Sequence, residues 1–154
     1  MPKRLLAVTH SIQLRRADCL AACAKMILDY IEKPVSYDRL MSLLQIEPEI
    51  GTRASNVLRL SALGVDVLYS RGTLTQIQDH LANDHPCVAF VNTAELPYWT
   101  EATGHAVVVV GIDDDNLYLN DPAFHDAPKK VSQGDFLLAW LEADEYYALI
   151  QRKN

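Results

Sequence analysis

The sequence predicts an α+β fold, with helices gathered in the first half of the chain and mostly antiparallel strands in the second. Three observations carry this reading. Up to about residue 64 the apolar residues recur at helical spacing, i, i+3, i+4. Beyond it they alternate or form short runs bounded by Gly, Pro and Asp, the pattern of strands. Finally, the run "HAVVVVGI" is joined to "LYLND" through the polar turn "DDDN", an antiparallel hairpin rather than a crossover.

The elements follow in order. Residues 17–32, "ADCLAACAKMILDYIE", set Leu20, Cys23, Ala24, Ile27 and Ile31 on one helical face. Asp18 is the expected N-cap, and Lys33-Pro34 ends the segment. Ser36 caps a second helix with a Leu40, Leu43, Leu44 stripe. A third begins near Thr52 and stops at Gly64, the expected left-handed C-terminal glycine. "VDVLYS" alternates as a strand, and Thr73 opens a short capped helix bearing Leu74, Ile77 and Leu81. "CVAFVNT", residues 105–112 and residues 117–121 are strands. A last helix from Ser132 buries Phe136 and Trp140, and "YYALIQ" closes the chain as a strand.

Composition narrows the function. The 154 residues are 49% hydrophobic and 22% charged, the make-up of one ordinary globular domain spanning residues 1–154. A net charge of -6 argues against general nucleic-acid binding, which needs a basic face. No apolar run approaches the ~20 residues that span a bilayer, and the N-terminus lacks the h-region of a secretory signal; a cytoplasmic location is expected. Three cysteines, an odd number, do not read as a disulfide framework.

The chemistry-bearing residues lie at both ends of the chain. Cys19 follows the expected N-cap, where the helix dipole favours a thiolate. A thiolate nucleophile also wants a neighbouring imidazole. Of five histidines, His105 is distinctive because it opens a core strand directly after Gly104; His10, His80, His85 and His125 read as loop or surface residues. The hairpin partner strand ends in Asn120-Asp121-Pro122. With the turn centred on Asp114, Asp121 lies near His105 across the hairpin and can orient its ring, while a slip of one residue would bring Asn120 instead. Gln13, six residues before Cys19, can fold its amide back to meet an oxyanion beside the sulfur, with the Cys19 backbone N–H as second donor.

The other features take blander readings. Cys23 falls one turn below Cys19 and reads as packing, its alternative being a reversible disulfide with Cys19. Cys87 belongs to a core strand. No second cysteine pair accompanies Cys19 and Cys23, so no zinc site is expected, and "DDDN" lacks the glycine and terminal glutamate of a calcium loop. Tyr98 and Trp99, in the loop before His105, form a cleft wall or decorate the surface.

In their order and spacing, Gln13, Asp18-Cys19, "GHAVVVVGIDDDNLYLNDP" and "DFLLAW" resemble the double-glycine leader peptidases, papain-like cysteine peptidases that process bacteriocin precursors. The resemblance covers roughly residues 5–150. It implies a papain-like fold whose N-terminal helical half packs on an antiparallel sheet. It further implies Cys19 as nucleophile, His105 as general base and acid, Asp121 as orienting carboxylate and Gln13 as oxyanion donor. No metal or organic cofactor is implied. Leu20 stands where transporter-linked members commonly carry glycine, and a stand-alone domain, without their membrane and ATP-hydrolysing domains, is expected. A peptide or protein substrate is therefore expected to be met in solution or through a separate transporter or partner protein. The same residues would serve a thiol-dependent acyltransferase, and the same groove a non-catalytic leader-peptide binding module.

Overall fold

The computed structural model describes residues 3–154. Its centre is an antiparallel sheet. The strands are β1 (Arg4–Leu5), β2 (Val65–Arg71), β3 (Cys87–Asn92), β4 (Gly104–Ile112), β5 (Asn116–Asn120), β6 (Lys129–Ser132) and β7 (Tyr146–Arg152). Their order is β2-β7-β3-β4-β5-β6, with β1 paired to the far end of β4. Helices α1 (Cys19–Tyr30), α2 (Tyr37–Leu43), α3 (Leu74–Ala82) and α4 (Gln133–Leu141) complete the fold, with 3-10 turns at Ala54–Leu63 and Thr93–Glu95.

The sheet separates two apolar layers. One face, through Val88, Phe90, Ala106, Val108 and Tyr118, packs against α1, α2 and the Ala54–Leu63 turn. The other, through Ala89, Val107, Val109 and Leu119, packs against α3 and α4. Alternate residues of β3, β4 and β5 supply the two faces, which explains why the β4 run is apolar throughout.

Helix α1 forms because Ala21, Ala22, Ala24, Leu20 and Met26 combine good helix propensity with burial. Only Lys25, Asp29 and Tyr30 escape full burial beyond its first residue, so the helix is an interior one. It ends in a left-handed turn: Glu32 has φ 60°, and the Lys33 N–H donates to the Leu28 carbonyl at 2.8 Å. Pro34 then blocks continuation. The expected caps at Ser36, Thr73 and Ser132 each accept a backbone N–H at the start of their helix, and Thr73 forms a full capping box with Gln76.

Three local expectations are corrected. Asp18 occupies the N-cap position of α1 but makes no side-chain cap hydrogen bond. The third helix is 3-10 rather than α, although Gly64 closes it in the left-handed region at φ 80°, as expected. The β4–β5 pairing contains a bulge. Gly111 faces Tyr118 and Ile112 faces Leu117, yet Val109 faces Leu119 and Val108 faces Asn120, so β4 carries one extra residue.

That bulge decides which end-of-strand residue meets His105. Continuing the shifted register, Asp121 falls opposite Val107, one diagonal step from His105 and on its face. Without the extra residue Asp121 would fall opposite Val108, on the other face. Gly111, beside the bulge, lets β1 lie close against β4: a Cβ there would sit 2.6 Å from the Arg4 carbonyl oxygen. Gly111→Ala is expected to push β1 off β4 and to lower stability by about 1–3 kcal/mol in urea unfolding, with the Arg4 and Leu5 amides losing hydrogen-exchange protection first.

Candidate active site

The site gathers where the N-terminus of α1 meets the open end of β4. Cys19 is the first residue of α1, half-buried, at the positive end of a twelve-residue helix. His105 is the second residue of β4 and Asp121 follows the last residue of β5; they are 7% and 0% exposed. His105 Nε2 lies 2.7 Å from Asp121 Oδ1. Cys19 lines the same cleft as His105 and lies close enough to raise the proton affinity of the imidazole, whose Nδ1 is the ring nitrogen not taken by Asp121. Residues far apart in the chain are thus joined in one line: sulfur, imidazole, carboxylate.

The electrostatics follow from that line. Burial opposes charge on His105, but the hydrogen bonds to Asp121 and then Cys19, with their charges, outweigh it and push the imidazole up to about 9. Burial by itself would raise the Asp121 carboxyl. The His105 hydrogen bond and charge, helped by the Ala123 N–H and the Trp99 indole, hold it below the usual carboxylate range.

Asp121 has more partners than sequence reasoning assigned. Oδ2 accepts from the Tyr98 hydroxyl and from Trp99 Nε1, each at 2.8 Å, and Oδ1 also accepts the Ala123 N–H at 3.0 Å. The Trp99 ring stands edge-on to His105, with centroids 4.9 Å apart. Of the two readings open for Tyr98 and Trp99, neither named this role: they are donors that clamp the carboxylate. The available signal was two aromatic residues with polar tips, placed after Pro97 and a few residues before a strand-opening histidine.

Asn120 is turned to the other face, where its Nδ2 donates to the Val8 carbonyl at 3.2 Å. Gln13 lies beside the site, tied by its backbone N–H to the Pro122 carbonyl at 2.9 Å. Its Nε2 donates to the Arg16 carbonyl at 3.2 Å, and its Oε1 is buried without a partner among the described residues. No hydrogen bond from Gln13 to Cys19 is present among the described residues.

Cys23 is fully buried one turn below, near enough to Cys19 and Asp121 that, after burial itself, their charges add to the upward push on its thiol. Cys87 sits in β3 on the other face of the sheet, its thiol pushed by burial up to about 12. His10, His80 and His85 bond to the Phe124 carbonyl, the Tyr147 hydroxyl and Gln151, and His125 is exposed. Among the described residues no group of three or more His, Cys, Asp or Glu is arranged to hold a metal, and no helix is long and apolar enough to cross a membrane.

A cleft of about 410 Å³ opens over Cys19 and His105, lined also by Leu20, Gly51, Phe90 and Gly104. The exposed Arg16–Glu101 ion pair joins the α1 approach to the loop before β4 beside it. A thiol at a helix N-terminus, a buried imidazole and an open cleft are the parts that thiol acyl transfer requires.

The His105 shift has a testable sign. A pKa raised above the free-histidine value means that the folded protein holds the proton more tightly. The stability it contributes is full below about 6.5 and is lost as pH rises through about 9. An NMR titration of the imidazole is expected to show a midpoint well above free histidine, and Asp121→Asn should move it down. A midpoint unchanged in that variant would remove Asp121 as the cause.

Comparison with known proteins identifies the family and the fold. The model of the Peptidase_C39 like family matches residues 5–148. Among solved structures, a Bacillus anthracis chain described as a C39-like peptidase superposes with a TM-score of 0.81 at 17% identity, over 100% of both chains. A double glycine motif protease from an AMS/PCAT transporter, solved in complex with a leader peptide, gives 0.76 at 20% identity, over 97% of this chain and 94% of that one. The peptidase domain of Streptococcus ComA, a bifunctional ABC transporter of a quorum-sensing pathway, gives 0.76 at 18%, over 95% and 99%. A search of curated protein sequences returns no match. The helix-on-antiparallel-sheet fold is thus the papain-like fold of C39 peptidase domains, and the chain belongs to the Peptidase_C39 like family of cysteine peptidases.

Proposed function

We propose that the protein cleaves a peptide bond in a leader-type peptide, with Cys19 as nucleophile, His105 as general base and acid, Asp121 as the orienting carboxylate and Gln13 as an oxyanion donor. The observation that supports this reading is the placement of Cys19, at the N-terminus of α1, beside the hydrogen-bonded His105–Asp121 pair in one cleft. The leader substrate is taken from the relative solved with one bound, and from the cleft that opens over the sulfur.

The steps follow from the geometry. Charge on His105, held by Asp121, together with the α1 dipole, stabilises negative charge on the Cys19 sulfur. The sulfur attacks the scissile carbonyl carbon, and the carbonyl oxygen takes the negative charge. The Cys19 backbone N–H and the Gln13 amide are the donors for it, the second N–H of Nε2 remaining after the bond to Arg16. His105 passes its proton to the leaving nitrogen as the C–N bond breaks, leaving a thioester on Cys19. Water then loses a proton to His105 and attacks the thioester; the C–S bond breaks and the acid product departs.

Tyr98 and Trp99 act through Asp121. Their two donors fix the carboxylate from the side away from the imidazole, so the ring cannot swing without leaving Asp121. The site is assembled on one chain, and a substrate presented in solution or by a separate transporter protein would reach it equally.

Incubation with a synthetic peptide carrying a double-glycine leader tests the reading, product being followed by mass spectrometry. Cys19→Ala and His105→Ala are expected to abolish cleavage while leaving the fold intact, and Asp121→Asn to lower kcat by about 10²–10⁴-fold. The alkaline limb of the pH–rate profile should fall near 9 in the wild type and lower in Asp121→Asn. Cleavage that survives Cys19→Ala would overturn the assignment.

A further inference from the structure

We propose that Asp18 and Tyr37 are positioning residues for acyl transfer: together they hold the 13–16 loop, and with it the Gln13 amide, against the N-terminus of α1. The inference rests on the catalytic reading above and extends it to two residues whose side chains make no hydrogen bond to Cys19 or His105 among the described residues.

It starts from an anomaly. An aspartate at an N-cap ordinarily accepts the N–H of the second or third helical residue. Asp18 does not, although it is completely buried. Its Oδ2 instead accepts the Arg15 backbone N–H at 3.1 Å, Arg15 Nε at 3.2 Å and the Tyr37 hydroxyl at 3.2 Å. Its Oδ1 has no partner among the described residues. A buried carboxylate oxygen left unsatisfied is unfavourable, and capping would have relieved it. The carboxylate is therefore held away from the helix by its other partners.

Those partners all belong to, or brace, the loop that carries Gln13. Tyr37, the first residue of α2, donates to Asp18 and accepts the Leu14 N–H at 3.3 Å. Burial foremost, with Asp18 beside it, pushes the phenol up to about 12, so the hydroxyl keeps the proton that it donates. The Asp18 N–H returns to the Arg15 carbonyl at 3.1 Å. Beyond this bracket the loop is fixed at its other end, by the Gln13 N–H on Pro122 and by Gln13 Nε2 on Arg16. Each of residues 13–16 is thus held by at least one hydrogen bond to Asp18, Tyr37, Pro122 or another loop residue.

Two consequences for the oxyanion follow. The Gln13 amide is locked by its bond to the Arg16 carbonyl, with one N–H uncommitted. The first-turn amides of α1, that of Cys19 included, are not consumed by a side-chain cap and keep the full positive end of the helix. Misplacement of an oxyanion donor by an ångström is enough to lose most of its effect on rate.

Two reagents that meet the same sulfur separate this role from thiol activation. p-Nitrophenyl acetate acylates Cys19 through a tetrahedral oxyanion, forming the thioester and releasing p-nitrophenolate. Iodoacetamide alkylates it by direct displacement of iodide, with no oxyanion. In Tyr37→Phe and Asp18→Asn the acylation rate is expected to fall about tenfold, while the alkylation rate and its pH dependence stay within about twofold of wild type. Asp18→Ala should lose more than Asp18→Asn, which keeps an acceptor for Arg15. Acylation unchanged in Tyr37→Phe, or both rates falling together, would overturn the positioning role. A wild-type Cys19 that alkylates no faster than a free thiol would instead sink the catalytic reading beneath it. Should either Asp18 variant fail to fold by circular dichroism, the nearly isosteric Tyr37→Phe decides the matter alone.

Discussion

The carboxylate of Asp121 is the constraint around which the site is arranged. It is fully buried and accepts hydrogen bonds from His105, Tyr98, Trp99 and Ala123. A buried charge is tolerable only when its lone pairs are matched by donors, and removing part of such a network leaves the remainder uncompensated. Four elements therefore share one requirement. The loop before β4 must close over the carboxylate, β4 must present His105 at its open end, and β5 must stop where it does. The turn after it must bring the Ala123 N–H back. Rigidity at this point is what the catalytic role proposed for His105 needs, and the fold obtains it largely from hydrogen-bonded charge.

The three cysteines show how position sets chemistry within one residue type. Cys19 meets a helix terminus, an imidazole and a cleft. Cys23, a turn below, has burial in their place, and its thiol is pushed up; Cys87 is buried in the opposite layer with the same result. Reactive thiols require exposure and positive surroundings together, and the fold grants both to one residue.

Much of this was legible in the sequence because its signals are local. The caps at Ser36, Thr73 and Ser132, the glycine at 64 and the apolar run of β4 each state their role within a few residues. What escaped depended on distance or on small shifts. β1 is two residues long and β6 is largely polar, so neither has a period to detect. A ten-residue apolar stripe does not separate a 3-10 helix from an α-helix. The β4 bulge is silent in the sequence, yet it decides that Asp121 rather than Asn120 shares the face of His105. Asp18 was readable as an N-cap by position, but its carboxylate is claimed by Arg15 and by Tyr37, the latter nineteen residues further on. Tyr98 and Trp99 were visible as aromatic residues near the site, whereas their bonds to Asp121 exist only once the hairpin has formed.

The order of the site along the chain has a consequence for synthesis. Cys19 leaves the ribosome long before His105, and Asp121 later still; the tie between Gln13 and Pro122 closes a loop of more than a hundred residues. Contacts so distant in sequence form late, after the sheet has begun to assemble. A nascent or partly folded chain thus carries the Cys19 thiol without the His105 imidazole or the Asp121 carboxylate beside it. On the proposed mechanism, cleavage then waits until the whole domain has folded, and the polypeptide is spared its own chemistry while its peptide bonds are most accessible.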